Sequence, residues 1–169
     1  MKHHLHLLRS VLVAGAFLSA LVPGRVQSQS KHVSTDELVQ KSEVVARGKV
    51  REMRSEWDET GSRIRTRVSL SVDEYLKGGG AGTMEVFVPG GEVDGVGELY
   101  THMPRFKQDE DVVVFAEKDK KGRYRITGGN EGKFAVKDNE KTGKRVVSGD
   151  RPLDEFKEEI KKSVQALKN

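Results

Sequence analysis

Two stretches of alternating sequence decide the fold: residues 44–50, which read VVARGKV, and residues 64–73, which read IRTRVSLSVD. In both stretches every second residue is apolar or small, and most of the residues between them are charged or polar. Successive side chains of a β-strand point to opposite faces of its sheet. The two-residue period therefore predicts two half-buried strands.

The segment between these strands predicts how they pair. Residues 59–61 (Glu-Thr-Gly) are typical of a three-residue hairpin loop with Gly61 in the left-handed conformation. Such a loop would pair Asp58 with Ser62. Counted back along both strands, it sets Val50 opposite Leu70, Gly48 opposite Val72 and Arg47 opposite Asp73. The apolar faces then match without a slip, which supports this register.

The rest of the chain predicts further strands and two helices. The strands are expected at Thr83–Val88, Asp111–Glu117, Tyr124–Thr127, Gly132–Lys137 and Arg145–Val147. Ser34 followed by Glu37 is a capping box, which predicts a short helix over residues 35–42. Apolar residues at three- and four-residue steps predict an amphipathic C-terminal helix over residues 153–167, with a stripe of Leu153, Phe156, Ile160, Val164 and Leu167.

These elements predict a mainly β fold. Five to seven strands, a short N-terminal helix and a C-terminal amphipathic helix fit one small, closed or partly open barrel. Asp111–Glu117 is almost continuously apolar and is expected to be a central strand.

The N-terminal 28 residues predict a secretory signal peptide. Lys2 and Arg9 precede an uncharged run from Val11 to Val22. Twelve residues span about 18 Å as a helix, against about 30 Å for a bilayer core. We expect cleavage after Ser28, leaving a single domain over residues 29–169 that is exported to the periplasm or the medium without stable insertion in a membrane. A buried N-terminal helix is the alternative.

Composition and charge exclude several classes of site and partner. The 169 residues include no cysteine, which excludes disulfides, thiolate nucleophiles and zinc–cysteine sites. Once residues 1–28 are removed, 27 basic and 26 acidic residues remain, so the net charge of the whole chain, +4, falls to +1. A nearly neutral exported chain is not expected to bind nucleic acid.

Several segments carry a resemblance to a known family. VVARGKV (Val44–Val50) and SVDEYLKG (Ser71–Gly78) resemble the opening hairpin of netrin-like domains, the OB-type barrels that include the tissue inhibitors of metalloproteinases. Over about residues 36–136 the chain also resembles a group of uncharacterised exported bacterial proteins, through VPGGE (Val88–Glu92), MPRF (Met103–Phe106) and DVVVFAE (Asp111–Glu117). The resemblance implies an OB-like barrel. It does not carry over the inhibitors' mechanism, in which an N-terminal cysteine chelates the zinc of the target, and an OB barrel is a scaffold for many functions.

A row of arginines is the first candidate site. In the register predicted above, Arg63, Arg65 and Arg67 share one face and lie opposite Trp57, Ser55 and Met53. Cations beside a tryptophan could form a docking surface for an anionic partner. The alternative is a solvated strand face whose charge is relieved by Glu52, Glu56 and Asp73.

The loop over residues 90–106 is the second candidate surface, with Glu92, Asp94, Glu98 and His102. Three carboxylates and an imidazole could bind a divalent cation or support hydrolysis, but their spacing matches no metal motif, and a solvated acidic loop is the competing interpretation. GxSxG and HExxH are both missing from the sequence. We therefore expect no catalytic residues, no bound metal and no cofactor.

The function expected from the sequence is non-catalytic binding to an extracytoplasmic protein or anionic macromolecule. A protease-directed role, as inhibitor or accessory protein, is its sharper form and rests on the resemblance alone. A metal-dependent or carboxylate-based hydrolase using the 90–106 loop is the alternative, and a structural component of the envelope is a third.

Overall fold

The computed structural model of the chain describes residues 33–168. The signal peptide predicted over residues 1–28 lies outside them. The described residues form two α-helices, α1 (Thr35–Lys41) and α2 (Leu153–Ala166), and two single-turn 3-10 helices, Gly129–Gly132 and Ser148–Asp150. They also form eleven strands: β1 (Val44–Trp57), β2 (Ile64–Lys77), β3 (Thr83–Pro89), β4 (Gly91–Val93), β5 (Val96–Glu98), β6 (Asp111–Lys118), β7 (Tyr124–Ile126), β8 (Lys133–Ala135), β9 (Lys137–Asp138), β10 (Arg145–Val147) and β11 (Arg151–Pro152).

Five of these strands close a ring of hydrogen-bonded pairs. β1 pairs with β2 and β2 with β3, both antiparallel. β3 pairs in parallel with β7, β7 pairs antiparallel with β6, and β6 returns antiparallel to β1. β8 also pairs with β6, which makes a mixed sheet of six strands. The mainly β class and the two flanking helices predicted from the sequence are confirmed.

The β1–β2 hairpin shows where the predicted register holds and where it is wrong. Val50 lies opposite Leu70 and Gly48 opposite Val72, as predicted. The turn, however, is closed by the Asp58 N–H donating to the Arg63 carbonyl at 2.7 Å, so the loop has one residue more than expected. A β-bulge at Arg51, between Val50 and Glu52, absorbs the extra residue.

A second bulge in β1 makes another predicted pair wrong. Arg47 lies opposite Glu74 rather than Asp73, because the register shifts between Arg47 and Gly48. The guanidinium of Arg47 nevertheless lies 3.5 Å from the Asp73 carboxylate and 2.9 Å from that of Asp111.

Apolar clusters lie on both sides of β1 and β6, which explains the continuous apolar run of β6. The first cluster joins the five strands of the ring and includes Val44, Ala46, Val50, Val68, Leu70, Val86, Val112 and Val114. The second lies between the sheet and the helices and includes Leu38, Val39, Val45, Val113, Phe115, Leu153, Phe156 and Ile160. The C-terminal helix therefore packs on the sheet, although it ends at Ala166 and Leu167 is exposed.

The short elements differ most from expectation. The segment predicted as a long loop, residues 90–106, contains the hairpin of β4 and β5. The strand predicted over Gly132–Lys137 is reduced to β8, and β9, β10 and β11 form a separate three-stranded sheet. Neither α1 nor α2, the helices of the described residues, has the length and apolar character needed to cross a bilayer.

Candidate functional site

The bulge at Arg51 divides β1 into two parts. Val45–Lys49 pairs with β2 on one side and with β6 on the other. Beyond the bulge, Glu52–Trp57 pairs with β2 alone. We call Glu52–Trp57 together with Ile64–Ser69 of β2 the arm, because this part of the hairpin extends beyond the β1–β6 pairing.

The arm has an inner face that continues the ring's apolar interior. Val50 points inward. The extra residue at the bulge shifts the inward direction from even-numbered to odd-numbered residues, so that Met53, Ser55 and Trp57 also point inward. These residues lie opposite Val68, Thr66 and Ile64, of which Val68 and Ile64 are fully buried. Met53 and Trp57 remain 38% exposed, so apolar surface is left open on this face.

The 90–106 segment folds back over the inner face. Thr66 Oγ1 donates to the Gly90 carbonyl at 2.7 Å and lies 3.0 Å from Ser55 Oγ. A Cβ at position 91 would lie 2.3 Å from Ser55 Oγ, and Gly91 has a φ of +137°. Only glycine therefore lets the backbone approach the arm this closely and turn into β4.

Between the arm and this segment lies a cavity of about 710 Å³, which we call the groove. Its walls are mainly apolar. They are formed by Met53 and Val68 of the arm, Val88 and Pro89 of β3, and Leu99, Tyr100, Met103, Pro104 and Phe106 of the segment that follows β5. Leu99 is 69% exposed, so an apolar side chain stands at the groove's mouth.

A few charged side chains also line the groove. Near the tip of the arm, Glu98 Oε2 accepts from the Ile64 N–H at 3.1 Å and from the Tyr100 hydroxyl at 3.2 Å. Glu92 also lines the groove. Near the bulge, Gln108 Nε2 donates to the Arg51 carbonyl at 2.5 Å. Arg105 also lines the groove. The mainly apolar walls of the groove therefore also carry two carboxylates, Glu92 and Glu98, and one guanidinium, Arg105.

The row of arginines is not the surface that the sequence predicted. The added loop residue shifts the pairing by one, so Arg65 lies opposite Glu56 and Arg67 opposite Arg54, while Trp57 lies opposite Ile64. Arg65 and Arg67 point to the outer face of the arm, away from Met53 and Trp57. Arg63 lies in the turn, where its guanidinium is 3.4 Å from the Tyr100 hydroxyl. The predicted position of Trp57 opposite Arg63 is therefore wrong.

Carboxylates neutralise most of the outer face. Arg65 lies 2.9 Å from Glu56 and packs over the Phe87 ring, and Arg67 lies 3.6 Å from Glu85. Lys121 pairs with Glu59 at the turn, and Arg123 lies 2.8 Å from Asp119. This arrangement fits the solvated strand face that the sequence left open as an alternative.

The four acidic-loop candidates are not brought to one point. Glu92 and Glu98 line the groove, whereas Asp94 and His102 are exposed outside it. Glu98 is engaged with a backbone N–H and the Tyr100 hydroxyl. In the part of the chain that the structure describes, no three His, Asp or Glu side chains are grouped as they would be to hold a metal ion.

Sequence reasoning missed that Met53 and the 90–106 segment form one site. Leu99, Tyr100 and Met103 were not singled out, although they line the groove. The sequence signal that could have identified them is a leucine beside a tyrosine in an otherwise polar loop, followed by the apolar residues of MPRF.

The chain was compared with known proteins. No protein-family model matches it. No curated protein gives a significant match either.

Proposed function

We propose that this protein is an exported, non-catalytic binding module that holds an extracytoplasmic protein partner in the groove. The observation that carries the proposal is the cavity itself, in which apolar residues from three separate segments meet at an open surface. Open apolar patches rimmed by polar groups are typical of protein-binding sites.

The scaffold that we propose is an OB-like barrel of the netrin-like kind. Support comes from the ring of five strands with a single parallel pair, β3 with β7, and from the resemblance of VVARGKV and SVDEYLKG. OB-folds are five-stranded, partly open barrels that bind ligands on a strand face and on neighbouring loops. The groove lies in such a position, between the β1–β2 arm and the segment after β3.

A protein partner fits the groove better than an anionic polymer does. Met53 and Met103 are flexible, polarisable side chains that adapt to different apolar partners, and Leu99 offers an exposed anchor. The cations that would attract a polysaccharide or lipid headgroup lie on the other face of the arm, where Glu56 and Glu85 pair with them.

The proposal that the protein is exported rests on the predicted signal peptide. Residues 1–28 have the charged start, the short apolar run and the small residue before the cleavage point that a signal peptide needs. Sequencing the N-terminus of the released protein tests this part on its own, with Gln29 expected as the first residue. Retention of the full chain inside the cell would contradict it.

Photo-crosslinking tests the groove directly. A photoreactive amino acid at position 99 is expected to form a discrete covalent adduct with a protein of the extracytoplasmic fraction. The same amino acid at position 67, on the outer face, is expected to form none. An adduct from position 67 alone would overturn the groove in favour of the arginine face.

Substitutions then measure what the contact contributes. Leu99→Ser is expected to weaken partner binding at least about tenfold, as the loss of an interface anchor of about 1.4 kcal/mol would. Leu167→Ser is the matched control, since Leu167 is an exposed leucine at the end of the C-terminal helix. The triple variant Arg63→Ala, Arg65→Ala and Arg67→Ala is expected to bind the partner within about threefold of wild type, the range of near-neutral rim contacts.

The protease-directed form of the proposal adds that the captured partner is a secreted protease. Its test is whether the purified protein changes that protease's rate, and whether Leu99→Ser removes the change. An unchanged rate would leave the binding module but exclude an inhibitor.

A further inference from the structure

The outer edge of the arm has no partner strand within the described residues. In the β1–β2 ladder, the Asp58 N–H to Arg63 carbonyl bond fixes which pairs are hydrogen-bonded. Because such pairs alternate along an antiparallel ladder, Met53, Ser55 and Trp57 direct their N–H and C=O groups away from β2. Beyond the Gln108 contact at Arg51, no described residue bonds to these groups.

A two-fold axis through Ser55 would pair this edge with itself. Two antiparallel copies related by that axis place Ser55 opposite Ser55 and Met53 opposite Trp57. These are the residues whose backbone groups point outward, so each pair can exchange two hydrogen bonds. A two-fold axis centred on any other residue pairs fewer of the three outward-facing positions.

The same register matches the side chains on both faces. On the inner face it places Met53 of one copy beside Trp57 of the other, twice. On the outer face it places Arg54 opposite Glu56, twice, at the closer spacing of a pair without hydrogen bonds. Opposite charges and aromatic–apolar pairs are the cross-strand contacts that stabilise sheets.

Arg54 is the residue that the single chain leaves unexplained. It lies directly opposite Arg67, a like charge, and no described residue forms an ion pair or hydrogen bond with its side chain. Arg67 has Glu85 at 3.6 Å, but Arg54 has no such carboxylate among the described residues. Glu56 of a second copy would supply one.

One contact in this register opposes pairing, because Glu52 lies opposite Asp58 of the other copy. The Asp58 carboxylate is turned into its own loop, where it accepts from the Thr60 hydroxyl at 2.8 Å and the Ser62 N–H at 3.0 Å. Its charge is therefore already engaged.

We propose that two copies of this chain join through the edges of their arms, antiparallel and centred on Ser55. The two β1 strands then form one continuous sheet, with both grooves on the same side. Charged side chains on an exposed edge normally block such pairing. Here Arg54 and Glu56, which attract each other only when Ser55 faces Ser55, restrict it to a self-complementary register. This inference concerns the strand edge and is independent of the groove's partner.

Particle mass measured by light scattering after gel filtration tests the dimer, with the chain mass known from mass spectrometry. Wild type is expected at twice the chain mass, falling towards the single-chain value on dilution. Arg54→Glu is expected at the single-chain mass, because the introduced carboxylate faces Glu56 of the other copy. This variant gains an attractive neighbour in Arg67 of its own chain, so loss of the fold does not account for the result. Arg105→Glu, the same charge change off the edge, is the control and is expected to remain dimeric.

Complementary variants test the register. Glu56→Arg alone is expected to be monomeric, because the introduced guanidinium faces Arg54 of the other copy. Mixed with Arg54→Glu, it is expected to restore a particle of twice the chain mass that contains one copy of each. A wild-type chain that stays monomeric at all concentrations would overturn the proposal. The same holds if the wild-type chain binds a different protein but never a second copy of itself. A mixture that stays monomeric would also overturn it.

Since the chain has no cysteine, a single introduced thiol gives a second readout. Ser55→Cys is expected to oxidise to a covalent dimer, because hydrogen-bonded antiparallel pairs have Cα atoms about 5.5 Å apart, within disulfide range. Arg54→Cys places the two thiols two residues out of register and is expected to remain largely reduced. Equal cross-linking of both variants would contradict the register.

Discussion

β1 is one continuous strand of fourteen residues, yet its two parts lie in different surroundings. From Val45 to Val50 it is paired on both edges and packed on both faces, and Val45 and Val50 are fully buried. From Glu52 to Trp57 it is paired on one edge, and most of its side chains are exposed. A single bulged residue, Arg51, separates a part that holds the fold together from a part that is open to partners.

The largest difference in stability between substitutions in the two parts of β1 is expected at Gly48, where the backbones of β1 and β2 pack closely. A Cβ at this position would lie 2.3 Å from the Ser71 carbonyl oxygen, and Gly48 is also paired with Val112 of β6 on its other edge. Gly48→Ala is expected to lower the free energy of unfolding by about 3 kcal/mol. Arg54→Ala in the arm, measured at a dilution at which the protein is a single chain, is expected to change it by less than about 0.5 kcal/mol. Urea unfolding followed by circular dichroism measures both, and equal effects would remove the distinction between the two parts.

A smaller difference is expected for side-chain truncation on either side of the bulge. Val50→Ala removes two methyl groups from a fully buried position and should lower the free energy of unfolding by about 1.5–3 kcal/mol. Met53→Ala acts on a side chain that is 38% exposed and should lower it by less than about 1 kcal/mol. The same unfolding measurement decides this. A larger effect for Met53 would mean that the arm's inner face is part of the core.

The sequence predicted the β1–β2 pairing around Gly48 and Val50 because burial imprints a clear period on these residues. Gly48 and Val50 match Val72 and Leu70 in the predicted register, whereas the bulge after Arg47, which the pattern does not show, shifts Ala46 opposite Tyr75. The arm has no such imprint. Residues 51–56 read REMRSE, so a one-residue bulge changes no apolar pattern and leaves the longer loop undetected.

The groove could not be predicted for a different reason. It depends on Gly90 and Gly91 turning the chain back onto Ser55 and Thr66, and that contact joins segments distant in sequence. The strands β4 and β5 have three residues each, too few for a period to show. The sequence did identify Met53 and the 90–106 loop, but as parts of two separate candidate surfaces. What it could not provide was the direction in which Met53 points, since that direction is set by the bulge.

Two turns with the same design allow a finer comparison of the arm with the ring. Asp58 closes the arm's turn and accepts from Thr60 and Ser62, and Asp119 closes the turn between β6 and β7. Asp119 accepts from the backbone N–H of Arg123 at 2.9 Å and of Lys121 at 2.8 Å. The hydrogen bond from the Arg123 N–H is the main reason that the pKa of the Asp119 carboxyl falls to about 2. The Thr60 hydroxyl and the Ser62 N–H lower the pKa of Asp58 below its ordinary value of 3.8.

The smallest expected effect is the pH dependence that follows. A carboxyl whose pKa is lower in the folded chain stabilises the fold when ionised, and this contribution is lost as the pH falls from about 3.8 through about 2 for Asp119. The difference in stability between wild type and Asp119→Asn should therefore shrink over that range. NMR titration of the side-chain carboxyl carbons should give a value near 2 for Asp119 and a depressed value for Asp58. If Asp58 instead titrated at its ordinary pKa while Asp119 stayed near 2, the arm's turn would be less ordered in solution than the ring's.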